Sequence, residues 1–181
     1  MQMRVTFFAM LLVIVLGGCS TGSNKQAGAY EPIETDVPVR PAGQNHVLQL
    51  TTAPMDTVRV GFIGLGMRGP GAVRRFTHIP GTKIVALCDL HADRVEKTQA
   101  ILDNAGLPRA AEYSGSEEAW KELCERDDID LIYIVTDWKR HADMMVYAME
   151  QGKHVASEVP AAMTLEEIWN VVNTAERTQK H

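Results

Sequence analysis

The chain has 181 residues, of which 45% are hydrophobic, 23% charged and 6% aromatic, and its net charge is -5. This is ordinary globular composition, which excludes a disordered polymer, a collagen-like repeat and a disulfide-stapled miniprotein. The acidic balance argues against a general nucleic-acid binder.

The amino terminus reads as a targeting segment rather than as fold. Met1 to Arg4 is a short basic start, and Val5 to Leu16 is an apolar run broken only by Thr6. That run is too short to span a bilayer as a mature helix and fits the core of a signal peptide over residues 1–18. It ends in Leu16-Gly17-Gly18-Cys19. Small residues directly before a cysteine resemble the lipobox of bacterial lipoproteins. The resemblance implies cleavage before Cys19, acylation of that residue, and anchoring to a membrane of the bacterial cell envelope by several acyl chains. Residues 19–56 are rich in Ser, Thr, Gly, Pro, Gln and Asn without sustained periodicity, which predicts a flexible tether. Residues 57–181 form the expected folded domain.

Strands and helices alternate through that domain. Thr57 to Ile63 predicts a buried strand, Gly64 to Gly69 a glycine turn, and Ala72 to Thr77 the beginning of a helix. Lys83 to Cys88 is a second strand and Ala92 to Asn104 a helix. A short strand over Ala110 to Tyr113 and a helix over Glu117 to Arg126 follow. Asp130 to Val135 is the clearest strand. Arg140 to Gln151 is helical and closed by Gly152, and His154 to Ser157 is a last strand. Thr164-Leu-Glu-Glu167 is a capping box that opens the final helix. Near-continuous apolar strands separated by helices predict a doubly wound α/β domain, a parallel sheet covered on both faces. Cys88, Cys124 and the group Met144, Met145 and Met149 read as core, and no cysteine spacing supports a metal site or a disulfide.

The glycine turn carries chemistry. Gly64-Leu-Gly66-Met67-Arg68-Gly69 is a G-x-G-x-x-G motif set between a strand and a helix, the context that dinucleotide binding requires. Gly64 permits the tight turn, Gly66 lets a pyrophosphate approach the backbone, and Gly69 allows close packing of helix on strand. The helix amino terminus offers N–H groups to the phosphates, and Arg68 adds charge there. Asp89 ends the second strand twenty residues beyond Gly69, where a carboxylate accepts from the adenosine ribose diol and favours NAD over NADP. Two further segments follow strand ends. Thr136-Asp-Trp138-Lys139-Arg140-His141 offers a flat indole, two cations and an imidazole, and Glu158-Val159-Pro160 offers a ribose ligand or a general base. His78, His91 and His154 have no such placement.

Taken in this order, the motifs resemble those of the Gfo/Idh/MocA oxidoreductases. Gly64-Leu-Gly-Met-Arg-Gly69, Trp138-Lys-Arg-His141 and Ser157-Glu-Val-Pro160 are most similar to glycoside hydrolase family 109, NAD-dependent α-N-acetylgalactosaminidases. The resemblance implies NAD contacts from Met67, Arg68, Asp89, Trp138, His141, Glu158 and Val159. It also implies a glycosidase cycle of oxidation at sugar C3, elimination of the C1 glycoside, addition of water and re-reduction, with α-N-acetylgalactosaminide glycans as substrates. Many sugar dehydrogenases of the wider group carry a catalytic lysine in the Glu-x-Pro motif, where this chain has Val159. Family members continue into a substrate domain, so the main catalytic set is expected beyond His181. A fragment of a sugar or inositol dehydrogenase, and an inactive NAD-binding lipoprotein module, stand as alternatives. The oligomeric state is not legible.

Overall fold

The computed structural model describes Glu34 and residues 37–181. The signal segment and Cys19 lie outside the described residues. The chain divides into two units, Met1–Val37 and Pro38–His181, and only the second carries described secondary structure.

That unit alternates strand and helix as β1 (Val58–Ile63), α1 (Gly69–Phe76), β2 (Thr82–Cys88), α2 (Ala92–Asn104), β3 (Ala111–Tyr113), α3 (Ala119–Cys124), β4 (Leu131–Ile134), α4 (His141–Glu150), β5 (His154–Ser157) and α5 (Leu165–Thr178). A single 3-10 turn over Trp138–Arg140 leads into α4. All strand pairs are parallel, in the order β3-β2-β1-β4-β5. The chain fills one side of β1 and then crosses back to fill the other. A doubly wound sheet of this kind opens a crevice at the carboxyl ends of the two strands where the order reverses, here β1 and β4.

Both sheet faces are apolar at the centre, where β1, β2 and β4 are covered on both sides, while the edge strands β3 and β5 are only partly buried. Val60 and Phe62 of β1 point to one face and pack with Ala72 and Val73 of α1 and Val95 and Leu102 of α2. Ile63 points to the other and packs with Leu123 and Cys124 of α3 and Met144, Met145 and Met149 of α4. The alternation is the two-residue period of a pleated strand. The two remaining cysteines and the three methionines are core residues, as expected. Burial pushes the thiols of Cys88 and Cys124 up to about 12, so both are neutral packing groups.

Local chemistry sets the ends. Gly152 adopts φ +79 just past α4 and terminates it. Thr164 Oγ1 accepts from the N–H of Glu167 at 3.1 Å, and Glu167 Oε2 accepts from the N–H of Thr164 at 3.1 Å. The capping box is therefore formed as read. α1 begins at Gly69 rather than Ala72, because Gly69 and Pro70 form its first turn; proline is at home there. α3 is shorter than expected, starting at Ala119 after a turn in which Gly115 takes φ +79.

Part of the stretch read as a tether lies against α5. Arg40 Nε and Nη2 donate to the Glu176 carboxylate at 2.6 and 2.8 Å, and Gln44 Nε2 donates to Glu176 Oε2 at 3.0 Å. Among the described residues no helix is long and apolar enough to cross a membrane.

Candidate cofactor-binding cleft

The carboxyl ends of β1, β2 and β4 surround a cleft of about 670 Å³, a size typical of small-molecule sites. Its floor is the glycine turn. Gly64 takes φ +95, and a Cβ there would stand 2.6 Å from the carbonyl of Val135 and 2.7 Å from the nitrogen of Thr136. The turn therefore presses directly on the end of β4. The N–H of Gly64 donates to Cys88 O at 2.8 Å and that of Val135 to Ile63 O at 2.7 Å, so the ends of three strands are stitched together. A Cβ on Gly69 would lie 2.2 Å from Gly64 O, which shows how tightly α1 is seated on the turn.

Gly66 differs from both. The only atom within 4 Å of its would-be Cβ is Arg94 Nη1, at 3.6 Å. The chain itself does not require a glycine there, but a side chain would project into the cleft. The first turn of α1 follows at once, and no side chain caps it. The N–H groups of Gly69 and Gly71, beside Pro70 which has none, and the positive end of the helix dipole suit a phosphate. Arg68 lines the same wall, and Met67 is 91% exposed at its rim. These residues fit the diphosphate of a dinucleotide.

Asp89 stands where the spacing places it, at the end of β2, with its side chain 6% exposed. It does more than face the cleft. Oδ2 accepts from the N–H of Leu65 at 2.7 Å, and Oδ1 from the N–H of His91 at 2.9 Å. Arg94 Nη1 approaches Oδ1 at 3.4 Å. Asp89 thus ties the glycine turn to the start of α2. Three of roughly four acceptor positions on a carboxylate are engaged, and the residue itself lines the cleft.

The opposite wall comes from the segments after β4 and β5. Asp137 Oδ1 accepts from the N–H of Lys139 at 3.2 Å and so holds the 3-10 turn. Trp138, 60% exposed, presents its ring at the cleft. Arg140 lines the wall and pairs with Glu117 at 2.9 Å, a hydrogen bond that raises its pKa. Lys139 stands outside the lining. Glu158 accepts from the Tyr133 hydroxyl at 3.4 Å and lies 3.9 Å from Arg75 Nη2. Tyr133 is itself fixed by stacking on Phe62 at 5.5 Å between centroids and by an edge contact with Phe76. Val159 is 80% exposed at the rim. His141 also lines the cleft although it is fully buried, with Nδ1 2.8 Å from Pro160 O and Nε2 3.1 Å from Thr136 O.

Sequence reasoning missed one end of the cleft. Leu90, His91 and Arg94 after β2, and Ser116, Glu117 and Trp120 after β3, line it. The strand-end rule applies to them too, but β3 has only three residues and its pattern is faint. Among the described residues no group of three or more His, Cys, Asp or Glu could hold a metal ion.

A parallel sheet with a glycine turn at its reversal point, an open helix amino terminus and a carboxylate at the end of β2 defines a dinucleotide-binding Rossmann domain. The chain belongs to the Gfo/Idh/MocA oxidoreductase family with an NAD-binding Rossmann fold, whose model matches residues 58–181. It is 62% identical over 180 residues to glycosyl hydrolase family 109 protein 1 of Bacteroides thetaiotaomicron, covering 99% of this chain and 38% of the relative. It is 67% identical over 159 residues to a glycosyl hydrolase family 109 protein of Porphyromonas gingivalis, covering 88% of this chain and 34% of that one. Among solved structures it is similar to myo-inositol dehydrogenase from Lactobacillus casei in complex with NAD(H) and myo-inositol. That match has 27% identity and a TM-score of 0.56, over 65% of this chain and 33% of the other. The chain thus spans less than two fifths of the length of these curated relatives.

Proposed function

We propose that the chain is the cofactor-holding part of a family 109 glycosidase that uses NAD to cleave α-linked N-acetylgalactosamine. The observation that carries this reading is the identity of 62% with a relative of that name over almost the whole chain. When bound, the nicotinamide ring supplies a hydride acceptor and donor for a sugar carbon.

The chain's own residues divide the work along the cleft. Gly66 leaves the backbone bare, and the α1 amino terminus and Arg68 take the diphosphate. Asp89 accepts from the adenosine ribose, and its charge disfavours a 2′-phosphate, so NAD is the cofactor rather than NADP. Trp138 offers a ring face. Glu158, oriented by the Tyr133 hydroxyl and by Arg75, offers a carboxylate to the nicotinamide ribose or to a substrate proton. Val159 brings no titratable group to the rim. That favours the glycosidase over a sugar dehydrogenase with lysine at this place, the second reading, which the likeness to an inositol dehydrogenase supports.

Two experiments test this. Calorimetry should show NAD+ binding more tightly than NADP+, with Asp89→Ala narrowing the gap; tighter NADP+ binding overturns the cofactor assignment. A chain extended to the length of its relatives should release the aryl group from an aryl α-N-acetylgalactosaminide without net NADH. Stoichiometric NADH from free sugar would instead establish the dehydrogenase. We further propose that Cys19 is lipidated and holds the protein at the cell envelope, on the strength of the small residues before it. Unchanged membrane fractionation of Cys19→Ser would refute that.

A further inference from the structure

Arg94 stands where the glycine turn and the end of β2 meet. It lies in the first turn of α2, where its N–H donates to His91 O at 3.0 Å. Its Nη1 lies 3.4 Å from Asp89 Oδ1 and would stand 3.6 Å from a Cβ on Gly66. The side chain is 45% exposed and lines the cleft. Nearby cations are engaged elsewhere. Lys97, one turn further along α2, pairs with Asp93 at 2.8 Å, and Arg109 pairs with Glu96, Asp103 and Glu112. Among the described residues Arg94 pairs with no carboxylate but Asp89.

The hold of Asp89 on that guanidinium is loose. The N–H groups of Leu65 and His91 reach the carboxylate at 2.7 and 2.9 Å and fix it without help from Arg94. The contact with Arg94 is longer than a usual charge-assisted hydrogen bond of about 2.7–2.9 Å. A ribose diol that donates to Asp89 competes for the acceptor capacity that Arg94 now shares. The guanidinium, half exposed on a flexible stem, is the group that yields. A plain 2′-hydroxyl offers it no charge in exchange. A 2′-phosphate offers an anion that matches the planar fork of an arginine.

We infer that Arg94 is a specificity-determining residue: its guanidinium is a 2′-phosphate ligand held in check by Asp89, so that the pair, and not the carboxylate alone, sets the choice between NAD and NADP. This rests on the reading that Asp89 meets the adenosine ribose of a dinucleotide. The two charges act on a 2′-phosphate in opposite directions. Asp89 repels it and Arg94 weakens the repulsion, so the site prefers NAD by less than a lone carboxylate would impose. Loss of Asp89 leaves a free guanidinium where a 2′-phosphate needs one. The diphosphate does not depend on Arg94, since the α1 amino terminus and Arg68 take it.

A double-mutant cycle at fixed ionic strength tests this. NAD+ and NADP+ are titrated by calorimetry into the parent chain, Arg94→Gln, Asp89→Asn and the double variant, with melting temperatures recorded for each. Arg94→Gln leaves both N–H bonds to Asp89 in place and should melt with the parent. It should lose about tenfold in NADP+ affinity and keep NAD+ affinity within about twofold, as expected for one charge-assisted contact made to the 2′-phosphate alone. Asp89→Asn should gain about tenfold for NADP+, and the double variant should lose that gain. Arg94→Gln decides the matter alone if Asp89→Asn does not fold. Equal weakening of both dinucleotides by Arg94→Gln would make Arg94 a diphosphate ligand and overturn the inference. Unchanged binding of both, or a double variant that keeps the gain of Asp89→Asn, overturns it as well. In each of these outcomes NAD+ still binds the parent chain and the dinucleotide reading stands; failure of the parent to bind either dinucleotide overturns that reading and the role of Arg94 with it.

Discussion

The glycines of the motif separate fold from ligand at the level of single residues. Gly64 has a positive φ and no room for a Cβ. Gly64→Ala is expected to lose at least about 1–3 kcal/mol from backbone strain alone, with a further loss from the contact at 2.6 Å, read by chemical denaturation. Gly66 has ordinary φ and near-empty surroundings. Gly66→Ala should keep the melting temperature within a degree or two yet bind NAD+ about tenfold more weakly, about 1.4 kcal/mol. A variant that melts early but binds normally would reverse the assignment. Asp89 combines both duties, since it accepts two backbone N–H bonds while facing the cleft. Asp89→Ala should therefore cost stability as well as cofactor preference, about 1.5–3 kcal/mol for a charged hydrogen-bonding group. The contrast also shows what was legible. Local spacing exposes Gly64, Gly66, Gly69 and Asp89, because each role is set within one strand-turn-helix unit. That His141 lines the cleft while Lys139 stands outside it depends on how the loops after β4 and β5 meet, and on a carbonyl nineteen residues away at Pro160; no local pattern records that.

Elements are held to one another by a few charged pairs whose pH dependence can be stated. Arg59 uses its N–H, Nε and Nη2 on the Asp130 carboxylate, at 2.8, 2.9 and 2.6 Å, joining the start of β1 to the start of β4. The side-chain hydrogen bond from Arg59 holds Asp130 below the usual carboxylate range. Glu176 of α5 is likewise lowered, chiefly by its hydrogen bond from Arg40. A depressed folded-state pKa stabilises at pH values above the unfolded pKa, and the contribution is lost as pH falls through the folded one. Unfolded carboxylates titrate near 3.9 for Asp and 4.3 for Glu. The contribution of these two carboxylates should then be level above about pH 5 and fall below about pH 4. Asp130→Asn and Glu176→Gln should each flatten that fall in acid denaturation; an unchanged slope would show that the pair contributes nothing to folding. Arg40→Ala should also make residues 38–43 easier to cleave, while Gln44 still donates to Glu176 and Asn173 and Gln179 to Asn45 O. The strap could not be read from composition. Its polar residues resemble a linker, and only the buried carboxylate of Glu176 on a distant helix gives Arg40 a partner.

The whole molecule places its rigid and its ligand-facing parts at opposite ends of one sheet. Arg59 and Asp130 lock the amino ends of β1 and β4, while the glycine turn, the β2–α2 loop and the segments after β4 and β5 converge at the carboxyl ends. A ligand that binds only the folded state stabilises it by about 2.7 kcal/mol at one hundred times its Kd. For a domain of this size each kcal/mol moves the midpoint by about 2–4 °C. NAD+ at that excess should thus raise the melting temperature by about 5–10 °C, with Gly66→Ala responding only at proportionally higher concentration. Hydrogen exchange locates the effect. Protection should grow at residues 64–69, 89–94, 136–141 and 158–160, where loops face the cleft. Residues 58–60 and 130–132, whose exchange requires opening of the locked ends, should gain no more than the global stabilisation of about 2.7 kcal/mol. A second groove between α4 and α5, lined by Asp143, Glu150, Asn170 and Arg177, is the internal control. Protection appearing there instead of at the carboxyl ends would place the dinucleotide on the wrong side of the sheet and overturn the assignment of the cleft.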